Sequence, residues 1–403
     1  MEHWRKHLYT IWFAETISLI GFSFCLTFMP YYLQELGVKD IKQVALWTGL
    51  LQTVGPLMMV ISAPFWGILS DRKGRKIMVE RAMFSGFVIL ILMSFARNVQ
   101  HLLILRILQG FFTGTFTAAI VLAASQMPKE KSGYGLGLMQ TSSFIASSAG
   151  PFLGGIASDI WGYRNSFFFS GILVGLAGCM VMFGVQEQKQ IDRETQQNSD
   201  NEKTRNDLFF LFIILFLFQF SITLLSPVIA IFIQKITPEA RKIATIAGSI
   251  IAISGIASVF SAILAGHMSG KHDNRILLSV MLIISGIFTM LATLSKSPGQ
   301  LMFLRILSGL SAGGIIPIIN TSIHLGTKKT ELGKNFGIAG GISSLGSGCG
   351  PIVGGALASV FSLEFTFIFS GMMMIITGAI CPVLLEKIKV EKEGKGIPEI
   401  TDL

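Results

Sequence analysis

The sequence predicts an all-α membrane protein, with twelve transmembrane helices arranged as two pseudo-symmetric six-helix bundles. The first observation behind this prediction is composition: 51% of the 403 residues are hydrophobic and only 14% are charged. Together with a mean hydropathy of +0.64, this balance is typical of chains solvated by lipid. The second is an internal repeat, because HLLILRILQG at 101–110 and QLMFLRILSG at 300–309 share six of ten residues at an offset of 199.

Twelve apolar stretches are long enough to cross a bilayer, whose hydrocarbon core of about 30 Å needs roughly 20 residues of helix. Unpaired backbone groups are costly in lipid, so each stretch is expected to be helical. The predicted ranges are 9–31, 43–67, 77–96, 101–125, 134–158, 165–185, 208–232, 243–267, 275–294, 300–324, 335–359 and 365–385.

The net charge of +9 is dispersed between these stretches and is not clustered on one segment, which argues against a nucleic-acid partner. If both termini are cytoplasmic, 21 of the 32 Lys and Arg residues fall in cytoplasmic segments, eight in external loops and three within spans. The positive-inside rule therefore predicts cytoplasmic termini.

The segment 187–207 holds ten charged residues and one aliphatic residue, so it cannot bury a core. It is predicted to be a cytoplasmic linker between an N-terminal bundle over 1–186 and a C-terminal bundle over 208–386, with a cytoplasmic tail over 387–403. Eight glycine, serine and proline positions around the fifth span recur in the second half at an offset of 200. Parallel repeats of this kind imply a site between the halves near the membrane midplane, opened alternately to each side.

The loop after the second span reads GILSDRKGRK over 67–76 and predicts a tight charged hairpin. Gly67 is expected to let helix backbones approach, and Gly74 to take a turn conformation closed to side chains. Asp71 is expected to accept charge-assisted bonds from Arg75 or to face the positive end of a helix. The alternative is an ordinary positive-inside loop, in which Arg72 and its neighbours only set orientation.

Two arginines lie well inside predicted spans. Arg106 is followed by Gln109 and Gly110, and Arg305 occupies the equivalent place in the second half. A guanidinium at membrane depth costs about 3 kcal/mol on insertion scales, so each should face a partner or water. The alternative for Arg106 is a side chain that snorkels toward the external side, and Arg305 is either a structural copy or part of the site.

The fifth span contains GPFLGG, with Gly150, Pro151, Gly154 and Gly155. Proline removes a backbone donor, and the glycines permit both bending and close helix contact. A hinge is predicted here. Because 350–355 repeats the pattern, generic packing remains the alternative.

Glu15 is the only acid well inside a predicted span, whereas Glu80, Asp159 and Glu364 lie at edges and are expected to contact water. Its carboxyl is expected to face a central cavity and carry a proton or bind a cationic substrate; the alternative is a residue that stays wet near the cytoplasmic end. Further cavity candidates, each equally suited to bonding between helices, are Gln109, Gln140, Gln219, Ser226, Arg305 and Asn320. No metal or cofactor is predicted, since the histidines show no ligand spacing.

These motifs together resemble the twelve-helix drug:proton antiporters of the major facilitator superfamily. The resemblance spans nearly the whole chain except linker and tail, and its further stretches include ISAPFWGILSDRKGRK, LILRILQG, MPKEKSGYGLG, GPFLGG, LSPVIAIFI and GLSAGGIIPIIN. It implies that Asp71 and Arg75 gate the cytoplasmic mouth, that Arg106 couples to proton movement, and that GPFLGG marks an exporter working as an antiporter. The second-half counterpart of the loop, 266–271, lacks the aspartate.

The resemblance implies a monomeric protein of the bacterial inner membrane that exports small amphipathic molecules in exchange for protons. An exporter of one metabolite, such as a polycarboxylate siderophore, remains open because a single Glu15 stands against Arg106 and Arg305. Uptake by symport is opposed by the hinge motif. An enzyme is not predicted, since no catalytic triad, HExxH or phosphate-binding glycine loop occurs, and a sensor would need a soluble domain larger than linker or tail.

Overall fold

The computed structural model describes residues 3–25, 27–128, 131–187, 206–269, 273–327 and 331–385, which form fifteen α-helices. Most of the predicted linker and the whole predicted tail lie outside the described residues, as does the second-half loop over 270–272. The helices of the first half are α1 (His3–Phe24), α2 (Met29–Glu35), α3 (Ile41–Lys73), α4 (Arg75–Ser94), α5 (Val99–Phe112), α6 (Thr115–Gln126) and α7 (Ser132–Gly184). Those of the second half are α8 (Asn206–Leu224), α9 (Ile229–Ile236), α10 (Ile243–Met268), α11 (Asn274–Leu291), α12 (Pro298–Ala312), α13 (Ile315–Gly326), α14 (Leu332–Val360) and α15 (Leu363–Leu384).

The predicted spans map onto these helices singly or in pairs. Among the described residues, ten helical stretches are long and apolar enough to cross a membrane, or eleven if the bent pair α1 and α2 counts as one span. One stretch, Tyr134–Gly184, has 51 residues and is divided at Gly162, where φ is 82° and ψ is 163°. The division gives the fifth and sixth spans, so the predicted helical membrane architecture is confirmed for the described residues, and the number of stretches is consistent with twelve spans.

Four spans are interrupted within their length, at equivalent places in the two halves. The first span breaks between α1 and α2, which meet at 48°, and the seventh breaks between α8 and α9. The fourth breaks after α5, where Gly114 has φ 103°. The tenth is interrupted only by a turn between α12 and α13, where Gly313 and Gly314 keep helical backbone angles. Breaks of this kind bring backbone polar groups into the interior, where a site can use them.

Each half has its own apolar core, and a third core joins them. One cluster is built mainly from α1 to α7, and a second entirely from the second half. The third contains Val44 and Ala45 of α3 among second-half residues such as Phe232 and Phe367. We call the face that carries His3 and Leu385 the terminal face, and the face that carries Glu35 and Gly162 the distal face. The third core lies toward the distal face.

The halves meet at the distal face through two helix pairs, α3 with α14 and α7 with α10. Four glycines close these pairs so tightly that a Cβ on any of them would collide with a backbone carbonyl oxygen of the opposite half. The colliding pairs are Gly49 with Pro351, Gly355 with Ala45, Gly155 with Ala244, and Gly248 with Pro151. Only glycine permits this approach. We call these four contacts the distal seal.

The same helix faces stand apart at the terminal face. Eighteen residues, or five turns of an ideal helix, return a position to the same face about 27 Å along the axis. The residues eighteen positions from the four seal glycines are themselves glycines, and a Cβ on any of them would meet no atom of the described residues within 4 Å. They are Gly67, Gly337, Gly137 and Gly266. The two halves therefore enclose a cleft that is closed at the distal face and open at the terminal face.

Candidate functional site

A cavity of about 310 Å³ lies between the halves, where the cleft narrows toward the distal seal. Helices of both halves and the breaks of the first and seventh spans contribute to its wall. The lining residues are Ser23, Thr27, Ser147, Pro151, Ile222, Thr223, Leu225, Ser226, Ile229, Ile251 and Arg305. The wall is thus apolar with a set of hydroxyl groups and one charged side chain.

The structure brings two of the predicted cavity residues, Ser226 and Arg305, to this wall. The other candidates lie elsewhere. Gln219 donates to Ser343 Oγ at 2.7 Å and so joins α8 to α14, while Gln109 accepts from Arg106. Gln140 is exposed on α7 and Asn320 half-buried on α13, and neither lines this cavity.

Arg106 is buried within the first half. Its side chain is 8% exposed, which does not fit a side chain that snorkels out of the protein. Its Nη1 donates to Gln109 Oε1 at 2.8 Å, and among the described residues its Nε and Nη2 have no hydrogen-bond partner. A buried guanidinium with two unused donors is costly, and nothing within the described part of the chain pairs it with a carboxylate.

Glu15 lies on α1 behind the cavity wall and not on it. It is fully buried, so the alternative in which Glu15 contacts water near the cytoplasmic end of its span is wrong. Its Oε1 accepts from Thr115 Oγ1 at 2.9 Å, and its Oε2 has no partner among the described residues. Thr115 begins α6 directly after the break at Gly114. Glu15 on α1 therefore bonds to the helix that follows the break in the fourth span, whereas Arg106 belongs to the helix before it. Among the described residues the two form no ion pair.

The GPFLGG motif packs the fifth span on two neighbours. The helix α7 runs through Pro151, and its non-helical position is Gly162. A Cβ on Gly150 or Gly154 would collide with α1, at Ser23 and Phe24 respectively, and Gly155 belongs to the distal seal. These contacts are those of close packing within and between halves, and the hinge stays a prediction.

The charged loop after the second span is a turn centred on Gly74, whose φ of 102° confirms the predicted conformation. The carboxylate of Glu187 accepts from the backbone nitrogens of Arg75 at 2.7 Å and Lys76 at 3.0 Å. It caps α4, so this first residue of the predicted linker is part of the bundle. Gly67 was expected to let backbones approach, but in this open arrangement a Cβ on it would meet no described atom outside its own helix turn within 4 Å.

For two further residues of this loop, Arg72 and Asp71, the structure describes no side-chain interaction. Arg72 is exposed, and the side chain of Asp71 lies outside the described part of the structure. The proposed bond between Asp71 and Arg75 stays a prediction.

Two glutamines tie the halves together at the distal face. Gln34 and Gln234 exchange side-chain amide hydrogen bonds at 2.8 and 2.9 Å, and Tyr31 donates to the carbonyl oxygen of Ala230 at 2.7 Å. These residues were not predicted from the sequence. A signal was present, because Gln34 and Gln234 are separated by 200 residues, the offset of the repeat.

Asp159 is the second polar link at the distal face. It was expected to contact water, but it is half-buried and accepts from Ala244 N at 3.3 Å, Thr245 N at 2.7 Å and Thr245 Oγ1 at 2.6 Å. The helix α10 has no side-chain cap of its own at Lys242. The first half therefore caps a helix of the second half, where orphan N–H groups and the helix dipole favour a carboxylate.

Comparisons with known proteins agree with this architecture. The chain matches the Major Facilitator Superfamily over residues 11–237 and 211–400. It is 31% identical to Multidrug resistance protein MdtG of Proteus mirabilis (strain HI4320), across 91% of this chain and 92% of that protein. It is 30% identical to the Multi-drug resistance efflux pump PmrA homolog of Lactococcus lactis subsp. lactis (strain IL1403), across 93% of each.

Among solved structures, a bacterial homolog to the human lysosomal transporter Spinster, in an inward-facing and occupied conformation, has a TM-score of 0.81 at 14% identity and covers 95% of this chain and 97% of that one. That similarity concerns the fold. The repeat, the motifs and the family match agree with one another, and the chain therefore belongs to the Major Facilitator Superfamily as a multi-pass membrane transporter.

Proposed function

We propose that this protein is a proton-coupled exporter of small amphipathic molecules that works by alternating access. The observation that carries the proposal is the pattern of glycines on the facing helices. The helices are in contact at the four glycines of the distal seal, and they are separated at the four glycines that lie eighteen residues further along. A cavity with an apolar wall lies between them. Rocking one half on the other would close the terminal face and open the distal face around the same cavity.

The terminal face is proposed to be cytoplasmic, in the bacterial inner membrane. The distribution of Lys and Arg, with 21 of 32 in segments on the side of the termini, supports this orientation. The cavity would then take its cargo from the cytoplasm or the inner leaflet, as export requires. We further propose that the protein acts as a monomer and carries out no catalysis.

Proton coupling is proposed to involve Glu15 and Arg106. A fully buried carboxylate without a cationic partner costs several kcal/mol, so Glu15 would be protonated in this state. Its O–H group would have no hydrogen-bond acceptor among the described residues. Thr115, which bonds to Glu15, begins the helix after the break in the fourth span, and Arg106 lies before that break. Loss of the proton would change the bond to Thr115 and so act on the break that separates the two residues.

The loop over 67–76 is proposed to act as the gate of the cytoplasmic mouth. Gly67 and Gly337 lie on the facing sides of α3 and α14, and Gly137 and Gly266 on those of α7 and α10. Closure at the terminal face would bring each pair together. Asp71 and Arg75 follow Gly67 by four and eight residues in the sequence, and their charges are proposed to act after closure.

Export of several drugs is supported by the names of two relatives, a multidrug resistance protein, MdtG, and a multi-drug resistance efflux pump PmrA homolog. The second candidate, a dedicated exporter of one metabolite, is favoured by a separate observation. Arg305 is the only charged residue among those that line the described cavity. That pattern suits a narrower class of cargo than lipophilic cations.

Substrate-induced proton movement in proteoliposomes tests the proposal. The vesicles would hold an imposed pH gradient and a pH-sensitive dye, with protein-free vesicles as the control. Proton release on addition of several unrelated amphiphiles is expected for multidrug exchange, and a response to one chemical class for a dedicated exporter. Cargo uptake that neither moves protons nor responds to the gradient would refute proton coupling.

A further inference from the structure

Arg305 differs from Arg106, its equivalent in the first repeat, in both its position and its neighbouring side chains. Arg106 is buried inside its own half, whereas Arg305 lies on the cavity wall. Of the eleven residues that line this cavity, Arg305 alone carries a charge. Any charged cargo that enters from the terminal face would therefore meet a positive group without an acidic competitor on that wall.

A difference between the two repeats also explains why the guanidinium of Arg305 has no side-chain hydrogen-bond partner among the described residues. Arg106 donates to Gln109, and the position equivalent to Gln109 in the second half is Ser308. The Ser308 hydroxyl lies 3.2 Å from Thr289 Oγ1 and 3.5 Å from Ser285 Oγ, so it is engaged behind the wall. Among the described residues Arg305 has no side-chain partner, and its buried Nε has no hydrogen bond.

A buried guanidinium nitrogen without a hydrogen bond, such as the Arg305 Nε, is costly, and a counter-charge inside the cavity would offset that cost. The planar fork of arginine matches a carboxylate, sulfonate or phosphonate in two parallel hydrogen bonds. The lining of the same cavity offers Ile222, Ile229 and Ile251 for an apolar body, together with several hydroxyl groups. The volume of about 310 Å³ is at the small end of ligand pockets, which hold roughly 300–1,000 Å³.

We propose that the cavity selects amphipathic organic anions, whose head group pairs with Arg305 and whose apolar body lies against the three isoleucines. As a statement about cargo, this rests on the proposed export function; as a statement about binding, it depends only on the cavity. The same head-group chemistry occurs in anionic lipids, and the experiment separates that source from a free anion.

Equilibrium dialysis against the full-length protein in phosphatidylcholine nanodiscs, with empty discs as the blank, tests the binding step. The probes share one apolar body and differ in head group: 4-butylbenzoate, 4-butylbenzamide and 4-butylbenzylammonium. We expect the benzoate to bind at least about tenfold more tightly than the ammonium, as a hydrogen bond to a charged partner allows. Arg305→Gln should weaken benzoate binding about tenfold and leave the amide within twofold, and Arg305→Lys should restore part of the loss.

Arg97→Gln, a change at an exposed arginine in a distal loop, is the matched control and should leave all three affinities within twofold. A wild-type preference for the ammonium, or an equal loss for all three probes in Arg305→Gln, would overturn the proposal. In discs that contain phosphatidylglycerol, an unchanged benzoate affinity supports a free anion. Displacement of the benzoate there would overturn it in favour of a lipid head group.

The proteoliposome assay separates this inference from the proposed function. Proton release by the ammonium probe that is equal in wild type and Arg305→Gln would leave export standing and overturn anion selection. Benzoate binding that depends on Arg305, without proton movement for any probe, would support anion selection and refute proton-coupled export.

Discussion

Replacing Asp159 by asparagine should shift the protein away from the state with the distal face closed. The carboxylate accepts three hydrogen bonds from the first turn of α10, at 2.6 to 3.3 Å, and these bonds cross between halves. Hydrogen bonds to a charged group are worth about 1.5–3 kcal/mol net, and a carboxylate at a helix N-terminus about 0.3–1 kcal/mol. Asparagine keeps the shape and one acceptor, so we expect a loss of about 2 kcal/mol, which is roughly a 30-fold change in the ratio of the two states.

Spin-label distances across the distal face measure this shift. Labels at Arg97→Cys and Lys296→Cys report the separation of the halves, since both residues are exposed in distal loops. The background replaces the exposed Cys179 and the half-buried Cys349, which a labelling reagent could also reach. Asp159→Asn should add a longer distance to the distribution. The matched control is Asp40→Asn, because Asp40 caps α3 within its own half, by a bond from Lys42 N at 3.1 Å.

The reasoning would be refuted by an unchanged distance distribution in Asp159→Asn. An equal shift in Asp40→Asn would also refute it, because the cause would then be loss of a capping charge at any distal helix and not loss of a bond between halves.

The remaining predictions concern coupling and closure. Glu15→Gln should abolish the dependence of transport on a pH gradient while substrate counterflow continues, and an unchanged pH-gradient dependence would remove Glu15 from the coupling mechanism. Arg106→Ala should abolish transport with normal membrane insertion, which normal flux would contradict. Gly266→Val should leave the melting temperature within about 2 °C, because no described atom lies within 4 Å of a Cβ there, yet stop transport by blocking closure of the terminal face. Wild-type flux in this variant would show that α7 and α10 do not close at that point.

The fold was largely predictable because two strong signals were independent of each other. Hydropathy located the spans, and the offsets of 199 and 200 paired the halves. What hydropathy did not show was the breaks in the first and seventh spans, because single polar residues such as Thr27 and Ser226 leave the average over a span apolar. The cavity wall includes those breaks, through Thr27 and Ser226.

The site was predictable where a side chain was unusual for its surroundings. Arg305 was singled out because a charge in a span is costly. Thr223 gave no such signal, since its hydroxyl bonds to the carbonyl oxygen of Gln219 at 2.7 Å, as threonines in any helix do. Asp159 and the orientation of Glu15 depend on which helix lies opposite, and the spacing of residues along one helix does not contain that information.

The distal seal has a consequence for ion leakage. Its contacts are made by backbone atoms of Gly49, Gly155, Gly248 and Gly355 against carbonyl oxygens, so no side-chain rotation can open a gap between the helices. For a carrier coupled to protons, as proposed above, these backbone contacts would keep the distal face closed to proton leakage while the terminal face is open. Enlarging any of these glycines would therefore do more than slow exchange, because it would create a route through which the membrane loses its gradient without moving cargo.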